Sequence, residues 1–211
     1  MIKFLLILKN IIKYSYNPKR FNKQFNNQPL KLHLGCGTVY KDSWINIDNN
    51  SDSNIQKLDL KYDLRKGIPF KDSSVDYIYN EHFLEHLSVK EGQSFLKECK
   101  RVLKKDGVLR IAMPDLETTV NEYFNLNWKE DNAERFKKFG LTHIKTRAER
   151  INIAFRDWGH KWLYDREELE RRLKEAGFVN IKFCNLRESD YPELRNLETR
   201  DESTLVTECV K

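Results

Sequence analysis

Three side chains able to accept a proton are expected at one sheet edge: His82 and Asp115 where strands end, and His160 on a loop that returns there. Val75 to Tyr79 reads as a strand, and Asn80-Glu81-His82 leaves its C-terminal end. Val108 to Met113 reads as another and delivers Pro114 and Asp115. Open α/β sheets bind ligands outside the carboxyl ends of their strands, so these residues share one edge. Histidine titrates closest to neutrality, which makes it the easier general base there. His160 lies beside Trp162 and Tyr164, in a loop suited to a sugar or a planar acceptor.

His82-Phe83-Leu84-Glu85-His86 also spells H-x-x-E-H, a zinc-peptidase signature. Histidines at i and i+4 of a helix share a face and can bind one metal. That motif needs a long helix and a further ligand, whereas this stretch follows a strand end. The sequence therefore argues for no metal, with His86 a packing or hydrogen-bonded residue and His82 bordering the reacting group.

The stretch that positions all of this is Leu30 to Asp48. A short alternating run, Leu30 to Leu34, is broken by Gly35-Cys36-Gly37, and Trp44 to Asp48 reads as a second strand ending in a carboxylate. Glycines directly after a strand let the backbone turn sharply and approach a ligand. An acid at the tip of the next strand can accept hydrogen bonds from two ribose hydroxyls. A dinucleotide fingerprint would want a third glycine and an acid roughly 20 residues on. Tyr40 stands where that glycine would fall and Asp48 comes too early, so a pyrophosphate has a poor seat.

At these residues the chain resembles the class I S-adenosylmethionine (SAM)-dependent methyltransferases, in particular small bacterial ones of the methyltransferase type 11 kind. The resemblance covers Leu30 to Met113 well and Gly159 to the C-terminus more loosely. It implies a Rossmann-like, doubly wound, mostly parallel sheet with an antiparallel C-terminal hairpin. It also implies a SAM pocket built from His33, Gly35, Cys36, Gly37, Asp48, Asp63, Leu64, Asn80 and Glu81, with Asp63 meeting the adenine amino group. Two departures stand out. His33 replaces the usual acid two residues before the first glycine, and only Thr38 to Ser43 separate the glycine turn from the second strand, too few for a full helix.

Methyl transfer asks mainly for placement, because a sulfonium is already an activated electrophile. A hydroxyl acceptor must also lose a proton, for which His160, His82 and Asp115 are the candidates. Methyltransferases of amides and base amines carry an Asn/Asp-Pro-Pro-aromatic turn after the fourth strand; Asn80-Glu81-His82-Phe83 lacks its prolines. The leading expectation is O-methylation of a small molecule or a sugar or glycan acceptor, the resemblance pointing to surface-polysaccharide or nucleotide-sugar chemistry. An RNA methyltransferase is favoured by the net charge of +6 and opposed by the absence of an RNA-binding module, so nucleic acid is disfavoured as a partner. A non-catalytic SAM-binding protein is kept open by His33.

The 211 residues suggest one domain. Residues 1–28 read as an N-terminal helix and linker, 29–211 as the methyltransferase domain, and 116–158 as a helical insertion capping the acceptor side. Four scattered cysteines, with no CxxC pair, suit a reducing cytoplasm. Met1 to Tyr16 is apolar but interrupted by Lys9 and Lys13, short of the ~20 residues a spanning helix needs. Two readings stand for it: a helix packed on the domain, or an interfacial anchor holding the protein against the membrane's inner face.

Overall fold

The fold is carried by a sheet whose central strands, β1 (Lys31–Leu34) and β4 (Val75–Glu81), are largely buried on both faces. Such strands read as near-continuous apolar runs and need helices on either side. The structure, a computed structural model, describes residues 28–49, 57–138 and 140–211. Both readings of Met1 to Tyr16, most of the linker that follows and Phe139 of the insertion lie outside those residues. No helix among the described residues is long and apolar enough to cross a membrane.

Beside β1 and β4 lie β2 (Ile45–Asp48), β3 (Leu60–Lys61), β5 (Leu103–Met113), β6 (Val179–Cys184) and β7 (Leu205–Val210), in the order β3-β2-β1-β4-β5-β7-β6. The first five are parallel and β7 runs antiparallel between β5 and β6. This is the expected doubly wound sheet with its antiparallel C-terminal pair. The order reverses between β1 and β4, which opens a crevice at their carboxyl ends.

Helix α1 (Val89–Val102) opens with the capping box of Ser88 and Glu91 that its sequence announces. Sequence spacing carries this helix on to Asp106-Gly107, but it stops at Val102. Leu103 pairs with Val75 instead, Lys104 Nζ reaches the Asp76 carboxylate at 2.8 Å, and the chain turns through Asp106 at φ 63°. What looks like the last helical turn is thus the entry to β5.

Residues 116–158 hold α2 (Leu116–Phe124), α3 (Trp128–Asp131), α4 (Ala133–Lys138) and α5 (Arg147–Arg156). Trp128, Phe136 and Ile144 give them a small core of their own. Glu122 of α2 pairs with Arg135 of α4 and Arg150 of α5, tying the helices together. Helix α6 (Arg166–Ala176) is capped by Asp165 and ends at Gly177, whose φ of 88° suits glycine.

The segment from Asn185 to Glu202 reads in sequence as a long, charged connection between the last two strands. It is packed: Leu194 and Leu197 bury against Trp44, Tyr79 and Val206. Beneath it Arg110 is fully buried, donating to Glu198 at 2.6 Å, to Glu208 at 2.5 Å and to the Glu188 carbonyl at 2.9 Å. A buried charge left without its partner is strongly unfavourable. Arg110→Met should therefore cost about 3–5 kcal/mol of stability by leaving Glu198 and Glu208 without a cation. Urea denaturation followed by circular dichroism checks this, and a midpoint close to wild type would mean the carboxylates find other partners.

Candidate active site

At the end of β1 the backbone turns through Gly35 and Gly37, at φ 69° and 53°. Gly35 N–H donates to the Ile47 carbonyl at 2.9 Å, and Gly37 N–H donates to Asp48 Oδ2 at 2.8 Å. The two glycines have different reasons. A Cβ on Gly35 would lie 2.2 Å from the Phe83 ring, so its absence lets the turn pack on the β4 exit. A Cβ on Gly37 would meet no protein atom. Gly37 therefore leaves backbone open to a ligand, beside a carboxylate that already holds its N–H.

The short Thr38–Ser43 segment is ordered without a helix by one buried side chain. Asn46 Oδ1 accepts from Lys41 N–H at 2.9 Å, while its Nδ2 stands 3.0 Å from the carbonyls of both Lys41 and Trp44. The same Oδ1 lies 3.0 Å from His33 Nδ1. An amide oxygen only accepts, so His33 donates through Nδ1. Burial lowers the His33 pKa to about 4, against the smaller upward pull of that bond. Where the resembled family has an acid, this chain holds a neutral imidazole.

At the end of β4 lie two carboxylates in opposite states. Glu81 accepts from Thr199 N–H at 3.0 Å, from Arg200 N–H at 3.1 Å, and from the Thr199 and Ser203 hydroxyls at 2.7 and 2.8 Å. Glu85 is fully buried, and neither of its oxygens has a hydrogen-bond partner among the described residues. Burial raises its pKa to about 8. Between them His82 sits in the left-handed region at φ 50°. Burial lowers its pKa to about 3, helped by the Arg200 charge.

Two cavities meet at this edge. The smaller, about 280 Å³, is bounded by His33, Gly35, Cys36, Gly37, Asp48 and Glu81, with Arg200 at its margin. The larger, about 630 Å³, runs under the inserted helices past Asp115, Thr119, Arg150, Trp158 and His160. His82, His86 and Arg200 line both. Asp63, Leu64 and Asn80 line neither. Asp63 caps the turn at Leu64–Lys66 and grips Arg65 at 2.8 and 3.0 Å, Leu64 is in the core, and Asn80 is buried with an unpartnered carboxamide.

On the acceptor side His82, Asp115 and His160 line one cavity, as their expected places at the sheet edge suggest. The aromatic lining differs from expectation. Tyr164 is buried in the core and Trp162 does not line the cavity, while Trp158 does. Arg200 was not singled out in the sequence, because nothing local marks a residue that a distant carboxylate pulls into place.

The open backbone at Gly37, beside Asp48, fits the nucleoside end of SAM. Asp48→Ala should weaken S-adenosylhomocysteine binding at least tenfold by calorimetry, since a hydrogen bond to a charged group contributes about 1.5–3 kcal/mol. A second expectation concerns pH. With its folded pKa near 4 against about 6.5 unfolded, His33 contributes stability in full above pH ~6.5 that is lost as pH falls toward 4. The amount is about 3 kcal/mol. His33→Gln should flatten the wild-type decline by that much in urea titrations across this range, and parallel profiles would show that His33 charges freely in the fold.

Residues 32–111 match the family described as a methyltransferase domain. A curated relative from Mycobacterium tuberculosis, named "Probable S-adenosylmethionine-dependent methyltransferase", is 26% identical over 139 residues, covering 66% of this chain. A relative of the same description from a second strain of that organism matches equally. The chain spans only 39% of these relatives' length. Among solved structures, a SAM-dependent methyltransferase from Archaeoglobus fulgidus superposes with a TM-score of 0.53 at 17% identity, over 95% of this chain and 94% of that one. One from Mesorhizobium loti gives 0.52 at 13% identity, over 87% and 91%. The chain carries the Rossmann-like fold of the SAM-dependent methyltransferases, and the segment that the methyltransferase-domain family matches is the one that builds the glycine turn and both carboxylates of the β4 exit.

Proposed function

We propose that this protein is a SAM-dependent methyltransferase acting on a hydroxyl of a small molecule or a sugar-like acceptor. The observation that carries the reading is the pair of confluent cavities: a glycine turn with an acid opens directly onto a chamber lined by imidazoles. At about 630 Å³ the chamber is of small-ligand size. Its mixed lining, with Trp158 beside Asp115 and His160, suits a polyol that stacks one face and hydrogen-bonds at its edge.

The bound cofactor supplies an activated methyl group. This chain's part is to hold the acceptor in line and to take its proton. His160 Nδ1 lies 2.7 Å from the Ala154 carbonyl, which can only accept, so Nδ1 carries hydrogen and Nε2 has the lone pair. That lone pair can remove a hydroxyl proton as the oxygen–carbon bond forms. Asp115 is the second candidate. Burial raises its pKa, while its Oδ1 is engaged in capping α2 through Glu117 N–H.

Incubation with SAM and a panel of sugars, sugar nucleotides and polyols, read by mass spectrometry, should yield S-adenosylhomocysteine and an O-methylated product. His160→Ala should lower turnover by about 10²-fold if it is the base and a few-fold if it is only a contact, with S-adenosylhomocysteine affinity unchanged. A larger loss in Asp115→Asn would move the role to that residue. Binding of NAD without any response to S-adenosylhomocysteine would sink the reading.

A further inference from the structure

The Glu85 carboxylate is unexplained by anything above. It is fully buried, both oxygens lack hydrogen-bond partners among the described residues, and no lysine or arginine pairs with it. Buried carboxylates are paired, hydrogen-bonded or metal-bound, because an isolated one is strongly unfavourable. Its immediate neighbours are three imidazoles. A ligand atom from each of Glu85, His86 and His160 lies within 4.8 Å of the others. His82 Nδ1 stands 3.4 Å from Glu85 Oε1, and His82 Nε2 is buried without a partner.

We propose that Glu85, His86 and His160 form a divalent-metal site at the junction of the two cavities, with His82 beside Glu85 at its edge. Ligands held ~2.0–2.2 Å from one ion lie roughly 3–4 Å apart, so small side-chain rotations close the set. The outer contacts are those of metal-binding histidines, which fix the ring through the other nitrogen. His160 donates through Nδ1 to the Ala154 carbonyl, and the His86 and His160 rings lie edge to face with centroids 5.0 Å apart. The loop itself is fastened to the site. The Glu85 carbonyl accepts from Lys161 N–H at 2.8 Å and from Trp162 N–H at 3.2 Å.

This arrangement answers the objection that the H-x-x-E-H stretch raises in sequence. No long helix is needed, since Leu84–His86 forms a single 3-10 turn, and the further ligand arrives from the loop after the inserted helices. Two imidazole nitrogens and one carboxylate suit a borderline first-row cation such as zinc, manganese or cobalt. The site borders the acceptor cavity through His86 and His160, so an ion held there would adjoin the space where an acceptor sits. Resting on the methyltransferase reading, the ion would bind the acceptor oxygen and lower its pKa. The His160 lone pair is then engaged, and Asp115 on the same cavity becomes the base that receives the hydroxyl proton.

The test is calorimetric titration of Zn²⁺ or Mn²⁺ into the full chain after treatment with EDTA, with Co²⁺ absorption spectra reporting the ligand field. One ion should bind per chain in the micromolar range or tighter. His160→Ala and Glu85→Gln should each weaken it by about tenfold or more, while His143→Ala, an exposed histidine away from the cavities, leaves it unchanged. Glu85→Gln keeps the shape and removes the ionisable oxygen ligand, so it guards against a variant that merely fails to fold. No binding, or affinity indifferent to both substitutions in folded protein, overturns the proposal. S-adenosylhomocysteine is titrated in parallel. Its binding without metal would remove only the metal site, and metal binding without it would remove only the methyltransferase reading.

Discussion

A carboxylate at a buried strand end must find donors, and Glu81 finds them on one segment far along the chain. Burial alone would raise its pKa, yet the hydrogen bonds from Thr199, Ser203 and Arg200 carry it below its ordinary value. Charge is thereby kept inside the fold without an ion pair among the described residues, as backbone and hydroxyl donors can do when they converge. The rest of the edge follows from that convergence. The strap of residues 185–202 is drawn over the sheet, Arg200 is brought to the rim of both cavities, and Glu198 is delivered to Arg110. Two buried electrostatic problems, at Glu81 and at Arg110, are thus met by the same stretch of chain.

That dependence explains which features were legible in the sequence. The glycine turn, the parallel strands and the α1 capping box rest on neighbours a few residues apart, and they appear where their spacing puts them. So does Gly177, whose left-handed conformation ends α6. The strap was opaque because its polar residues look solvated until Glu81 and Arg110 are known to lie beneath them. The early end of α1 was opaque for a similar reason, since Leu103 is apolar enough for either element and its pairing with Val75 decides. Asp63 matched a family position, but a guanidinium two residues away engages it.

The short link after the glycine turn shows how a missing element is replaced. In the resembled fold a helix would order that segment; here the Asn46 carboxamide does so from inside the sheet. Such a carboxamide must be surrounded by polar partners, and one of them is His33. The histidine is therefore not an isolated exchange for an acid. It belongs to a network centred on Asn46, whose Nδ2 serves the Asp59 carboxylate and whose Oδ1 needs a donor; a carboxylate in place of His33 would face that Oδ1 acceptor and be repelled.

The two glutamates of the β4 exit make the sharpest contrast in the molecule. Glu81 and Glu85 are four residues apart and both buried, but only the first is served by donors from the chain. A fold that can satisfy one so completely has no general difficulty in supplying donors at this edge. The lack of them around Glu85, with imidazoles in their place, is a local property of the His82–His86 turn and the His160 loop. The cofactor side is consequently built from backbone, amide and neutral imidazole groups around two carboxylates, Asp48 and Glu81, that the chain's own N–H groups engage. The acceptor side concentrates groups that can exchange protons or ligate, and the division falls along the line where the two cavities meet.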